Sequence, residues 1–127
     1  GDAPPFVERL GLPRPTRWEG GRAWLEWETD ESMFHERGAL FGGFVAALAD
    51  HALIFPTISV LAEGETFTTS DLRVSYFRPI GPGLLRIESR VVHRGRTMIH
   101  VEAMFTRQDG KLAAVATATQ VVAQEVQ

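Results

Sequence analysis

From Gly42 to Phe55 the chain is apolar at almost every position, and Asp50 and His51 are the only ionisable side chains. The run is long enough, and rich enough in alanine and leucine, to predict a buried central helix over about 41–57. At about 3.6 residues per turn the neighbours of Asp50 are Ala46, Ala47, Leu53 and Ile54, all apolar. That setting predicts a desolvated carboxylate with a raised pKa, unless a partner outside the helix stabilises the charge. Pro56 removes a backbone donor and predicts a stop or kink, with Gly64 as the firm end. Upstream, Phe6, Val7 and Leu10 form a short amphipathic pattern over about 5–11, closed by Gly11 and Pro13. Over 18–28 the period changes to two, with Ala23, Leu25 and Trp27 opposed to Arg22, Trp24, Glu26 and Glu28, which predicts one strand. Four more strands follow at 66–78, 84–93, 97–107 and 112–122, punctuated by Pro79 to Gly83, Arg94-Gly95-Arg96 and Asp109-Gly110. Turns this short predict antiparallel neighbours. Ala114, Ala116 and Ala118 leave room on the last strand for the helix to approach.

The elements add up to an α+β fold, an antiparallel sheet wrapped around one long central helix. A sheet covers only one side of a helix that is apolar all round. A second copy of the chain is the expected cover, which predicts a homodimer about a two-fold axis.

Composition narrows the function. A chain of 127 residues fits one domain with a real core. The net charge of −3 and dispersed basic residues give no footprint for nucleic acid. No apolar run is long enough to cross a bilayer, and no secretory signal is visible, so the expected location is the cytoplasm. The first residue is Gly rather than Met, which leaves an upstream targeting segment open. Without cysteine, disulfides and thiol chemistry are excluded. His93 and His100 lack metal-ligand spacing, so neither a metal nor a cofactor is expected.

Gly42-Gly43 at a helix start offers free N–H groups and the positive end of the dipole, a seat for an oxyanion or a polarised carbonyl. Asp50 lies eight positions on, about 12 Å along the axis, too far to serve the same carbonyl within one chain. Two antiparallel central helices would set Gly42 of one copy against Asp50 of the other. On helix chemistry alone Asp50 is equally a structural acid, and a glycine pair usually marks a turn or close packing. His51 reads as a packed or interface residue. Arg73, Arg78, Arg94 and Arg96 read either as solvated edges or as cations for a substrate's phosphates.

The ordered set His35-x-x-Gly38-x-x-Phe41-Gly42-Gly43-x-x-x-x-Leu48-x-Asp50 resembles the signature of hotdog-fold acyl-CoA thioesterases of the phenylacetate-degradation type. The segments from Asp71 to Pro79, Val92 to Arg96 and Asp109 to Thr117 resemble the same family. The resemblance implies a hotdog fold and hydrolysis of an acyl-CoA thioester to acid and CoA. Asp50 would act as general base or nucleophile, Gly42 would polarise the carbonyl and His35 would stand in the place of an amide. It further implies dimers or dimers of dimers with sites at the subunit interface. Phe41, Gly43, Ile54, Tyr76, Arg78, Arg94 and Arg96 are the expected substrate contacts. Phe41 occupies the place of the family's histidine and Ile54 that of a hydroxyl residue, so a noncatalytic acyl-CoA binder is the alternative reading.

Overall fold

The computed structural model describes residues 3–125. Helix α1 (Pro5–Leu10) ends where Gly11 turns left-handed, φ 65°, one residue short of the expected 5–11. The segment expected to be one strand folds into two, β1 (Pro15–Glu19) and β2 (Arg22–Glu28). Gly20 and Gly21 both take positive φ, 56° and 78°, and close a two-residue hairpin that only glycine-like residues enter cheaply. Helix α2 (Gly42–Ala52) and the short helix α3 (Ile54–Ile58) replace the single helix over 41–57, with the break at Leu53. Strands β3 (Glu65–Tyr76), β4 (Leu84–Arg94), β5 (Met98–Thr106) and β6 (Leu112–Gln124) complete the chain.

The break has a specific cause. Pro56 has no N–H to give to the carbonyl of Ala52, and the hydroxyl of Ser89 on β4 donates to that carbonyl instead, at 2.9 Å. One residue on, the Leu53 carbonyl accepts from the Thr57 hydroxyl at 3.1 Å and from the Gln120 amide at 3.3 Å. Ser89, Thr57 and Gln120 are all buried, so these bonds fasten the helical break to the sheet where no water competes.

The six strands form one antiparallel sheet in the order β1-β2-β4-β5-β6-β3. The turn-length argument therefore fails at Pro79 to Gly83, because β3 pairs with β6 and β4 pairs with β2. Pro79 and Pro82 offer no ladder donors, and between them Ile80 is buried and accepts the N–H of Leu40 at 2.9 Å. The segment thus plugs the end of the core rather than turning a hairpin. At Asp109-Gly110 the hairpin is as expected, joining β5 to β6 with Gly110 at φ 84°. Hydrogen bonds first from Arg107 and then from the N–H of Lys111 hold the Asp109 carboxyl well down, at about 2.

The core joins Leu48, Ala49 and Ala52 of α2 to Ala103 and Phe105 of β5 and to Ala114, Ala116 and Ala118 of β6. The alanines of the last strand do leave room for the helix. Burial corrects the reading of the helix itself. Gly42, Gly43 and Asp50 are exposed and Ala46, Ala47 and Ile54 half-buried, so α2 shows one uncovered stripe and Asp50 stands on it. β3 lies at the sheet edge beside this stripe, and its Phe67, Leu72 and Val74 are also only half-buried.

Candidate functional site

The approach to α2 is built by short-range hydrogen bonds. His35 N–H donates to Ala39 O at 2.9 Å, Gly38 N–H to His35 O at 3.0 Å, and Phe41 N–H to Met33 O at 3.2 Å. Gly38 takes φ 81° in this turn. The backbone N–H of Arg37 donates to Nδ1 of His35 at 3.1 Å, so the neutral imidazole carries its proton on Nε2 and keeps that donor free.

Phe41 is the N-cap of α2, with extended backbone angles of −71° and 146° and no side-chain capping bond. Its carbonyl accepts the N–H groups of Phe44 and Val45 at 3.0 and 3.4 Å. Among the described residues, the N–H groups of Gly42 and Gly43 have no acceptor, so the positive end of the helix is left open. The Phe41 ring folds back over Gly43, where an added Cβ would meet it at 3.1 Å. On the other side Tyr76 lies against Gly42 and its Oη donates to the Gly42 carbonyl at 2.6 Å. Both glycines therefore permit close aromatic approach while keeping their donors bare.

A cavity of about 380 Å³ at this helix start is lined by His35, Arg37, Gly42, Tyr76 and Arg78, among others. Of the expected site residues, the structure brings His35, Gly42, Tyr76 and Arg78 together here. Arg78 also donates to the Leu112 carbonyl at 2.6 Å. Arg37 joins them without having been expected; its signal was the turn that also carries His35 and Gly38.

Phe41 and Gly43 stand at the same helix start; the others lie elsewhere. Asp50 is two turns along α2, exposed, and its carboxylate does not line the cavity. The expectation of an acid sealed in apolar surroundings is corrected for the single chain: the stripe around it is apolar but uncovered. Ile54 lines a separate apolar groove with His51, Phe55, Ile58 and Trp18. His51 is buried and donates from Nε2 to Pro13 O at 2.6 Å, a packed histidine that ties the N-terminal segment to α2. Arg94 is committed to Glu65 at 2.6 Å, and Arg96 is exposed in the β4–β5 turn. Glu65 accepts the N–H of Ala62 at 2.8 Å. That bond first, and Arg94 second, hold its carboxyl below the ordinary 4.5. His93 and His100 pair across strands on the open face of the sheet, and among the described residues no group of three acidic or histidine side chains is placed to hold a metal ion.

A helix start with bare N–H groups is a seat for a carbonyl oxygen or an anion, and sequence comparison supplies the family. The thioesterase superfamily model matches residues 37–114, which include Gly42, Asp50 and Tyr76. The chain belongs to the thioesterase superfamily. It is 32% identical to the proofreading thioesterase EntH of Klebsiella pneumoniae over 72% of this chain and 66% of that one. A candidate thioesterase of Ralstonia eutropha, described as related to phenylacetic acid degradation, is 30% identical with a TM-score of 0.82, covering 95% and 92% of the two chains. A thioesterase-named protein of Streptococcus pneumoniae, crystallised with coenzyme A, shares the fold at a TM-score of 0.84 and 21% identity, over 95% and 93%. The sheet with its packed helix is thus the hotdog fold of this superfamily, and thioester hydrolysis is the general activity that the family's name carries.

Proposed function

We propose that this thioesterase hydrolyses an acyl-CoA at a site shared by two copies of the chain. The observation that carries the reading is the separation along α2 of two incomplete half-sites: open N–H groups at Gly42, and an exposed Asp50 about 12 Å further on. Neither half has its complement within its own chain. The uncovered stripe of α2 and the free edge of β3 adjoin each other, and a two-fold partner laid antiparallel along them covers both. It also puts Gly42 of one copy opposite Asp50 of the other.

In that arrangement the thioester carbonyl accepts from the Gly42 N–H, with the His35 Nε2 donor beside it. Asp50 of the partner activates a water for attack at the carbonyl carbon, or attacks it directly to form a mixed anhydride that water then hydrolyses to the free acid and the restored carboxylate. The tetrahedral oxyanion draws on the helix dipole, and its collapse expels the CoA thiolate. Coenzyme A in the Streptococcus pneumoniae relative supports the choice of carrier. Phe41 supplies no side-chain hydrogen bond to this chemistry and its ring lies against Gly43, the one observation that favours a binder without turnover.

Two measurements separate these readings. Asp50→Asn should fold and bind acyl-CoA yet lose at least ~10²-fold in turnover, the usual contribution of an acid–base group; hydrolysis near the normal rate overturns the catalytic assignment. Gly42→Pro removes the N–H at a position where proline is tolerated, because Phe41 before it is already extended. Mixing Asp50→Ala with Gly42→Pro chains should recover about a quarter of the activity, since half of the dimers are mixed and each mixed dimer holds one intact site. No recovery over either parent means that the site is not shared.

A further inference from the structure

The apolar groove at the far end of α2 contains one polar atom that nothing in the fold uses. Its volume of about 550 Å³ is that of a small-molecule site, and its wall includes Phe6, Trp18, Ile54, Phe55 and Ile58. Phe6, Trp18 and Ile58 are exposed despite their size. His51 is only 6% exposed, and it lines this groove.

The chemistry of His51 is fixed by its partners. The Pro13 carbonyl can only accept, so Nε2 carries the proton in the bond of 2.6 Å, and Nδ1 of the neutral ring is an acceptor. Among the described residues Nδ1 has no hydrogen bond. It is not sealed in either, because Arg94 Nη1 is the one fully buried side-chain nitrogen or oxygen left unpaired there. Phe55 meets the imidazole edge-on, with centroids 5.1 Å apart and planes at 85°, and Trp18 meets Phe55 in the same manner at 6.0 Å. The acceptor is thus held in one place among aromatic walls. A buried acceptor without a donor costs stability, and a ligand that brings an O–H to it recovers that cost.

The groove is within reach of the catalytic acid. Ile54 stands one turn beyond Asp50, about 6 Å along the axis, and lines the groove. An acyl group that leaves the carbonyl along the uncovered stripe crosses Ile54 and enters the groove of the chain that supplies Asp50. We propose that His51 selects the acyl group, the groove seating a hydroxylated aryl acid whose ring lies on Trp18 and Phe55 and whose hydroxyl donates to Nδ1. The inference rests on the acyl-CoA reading and names the substrate class of that site.

The test compares acyl groups that differ by one hydroxyl. Hydrolysis is followed on phenylacetyl-CoA, its three ring-monohydroxylated isomers and acetyl-CoA. At least one hydroxylated isomer should exceed phenylacetyl-CoA in kcat/KM about tenfold or more, the scale of leaving a buried acceptor unpaired. His51→Phe keeps a ring against Phe55 and removes the acceptor, and it should bring these substrates level. Ile58→Glu, at an exposed position, sets a carboxylate in the groove and should slow the aryl substrates about tenfold more than acetyl-CoA. That readout remains if His51→Phe loses its hold on the N-terminal segment. Equal rates on phenylacetyl-CoA and all three isomers overturn the inference, as does a preference that survives His51→Phe, or an equal effect of Ile58→Glu on aryl and acetyl substrates. Calorimetric titration with the thioether analogues of the four aryl substrates reads the seat without turnover. If a ring hydroxyl tightens binding in a His51-dependent way but no thioester is cleaved, the seat stands and the catalytic reading falls. Analogues that bind alike with and without the hydroxyl, beside normal hydrolysis, overturn the seat alone.

Discussion

Arg94 and Glu65 show how one contact redirects a residue's role. By sequence Arg94 is a free cation in a Gly-containing turn, suited to a phosphate. In the fold it reaches across to the start of β3, donates to Glu65 at 2.6 Å, and leaves Nη1 buried without an acceptor among the described residues. Glu65 receives this bond together with the Ala62 N–H, and both favour its ionised form. A carboxyl whose folded pKa is depressed adds stability above its unfolded pKa and loses it as pH falls through the folded value. Glu65→Gln should therefore unfold at lower urea than the parent at neutral pH, with the gap closing as pH falls below 4.5, the ordinary value. A gap that stays constant down to acid pH means that Glu65 acts by packing and not by charge. Among the site residues, Gly42, His35, Tyr76 and Arg78 were legible because each sits in a recognisable motif, and the fold brings those motifs to one cavity. Arg94 was not, because its partner is 29 residues away.

At the scale of elements, the α2–α3 break is the feature that most depends on another part of the chain. Pro56 announces a disturbance of the helix, but which group takes the abandoned Ala52 carbonyl is decided by the sheet, through Ser89. Ser89→Ala should cost about 1–3 kcal/mol in urea unfolding, because a buried carbonyl is left unpaired. In a Pro56→Ala background the restored N–H can take that carbonyl, so the same substitution should cost markedly less, giving a measurable coupling in the double-mutant cycle. Equal costs in both backgrounds refute the assignment. The strand positions were readable from alternation. The Gly20-Gly21 hairpin was not, because the alternation in 18–28 carries no marker separating one strand with a bend from two. The pairing of β3 with β6 was not either, because it depends on Ile80 entering the core, a matter of what fills the end of the sheet.

For the whole molecule, the uncovered stripe of α2 and the half-buried face of β3 set the dimer prediction. Ala47→Arg places a long charged side chain on that stripe. It should leave the helical and strand signal by circular dichroism intact, convert the protein to a monomer by sedimentation velocity, and abolish hydrolysis. A variant that sediments as a monomer with full activity rules out the shared site. The sequence by itself determined the α+β class, the places of most strands and the residues at the start of α2, because hydrophobic period, glycine placement and proline act over a few residues and need no partner. Only the tertiary structure decided how those elements pair, that Asp50 lies open rather than sealed, and that Arg94 is committed to Glu65. Each depends on which distant backbone or side chain arrives first at a carbonyl, a carboxylate or a face of the helix.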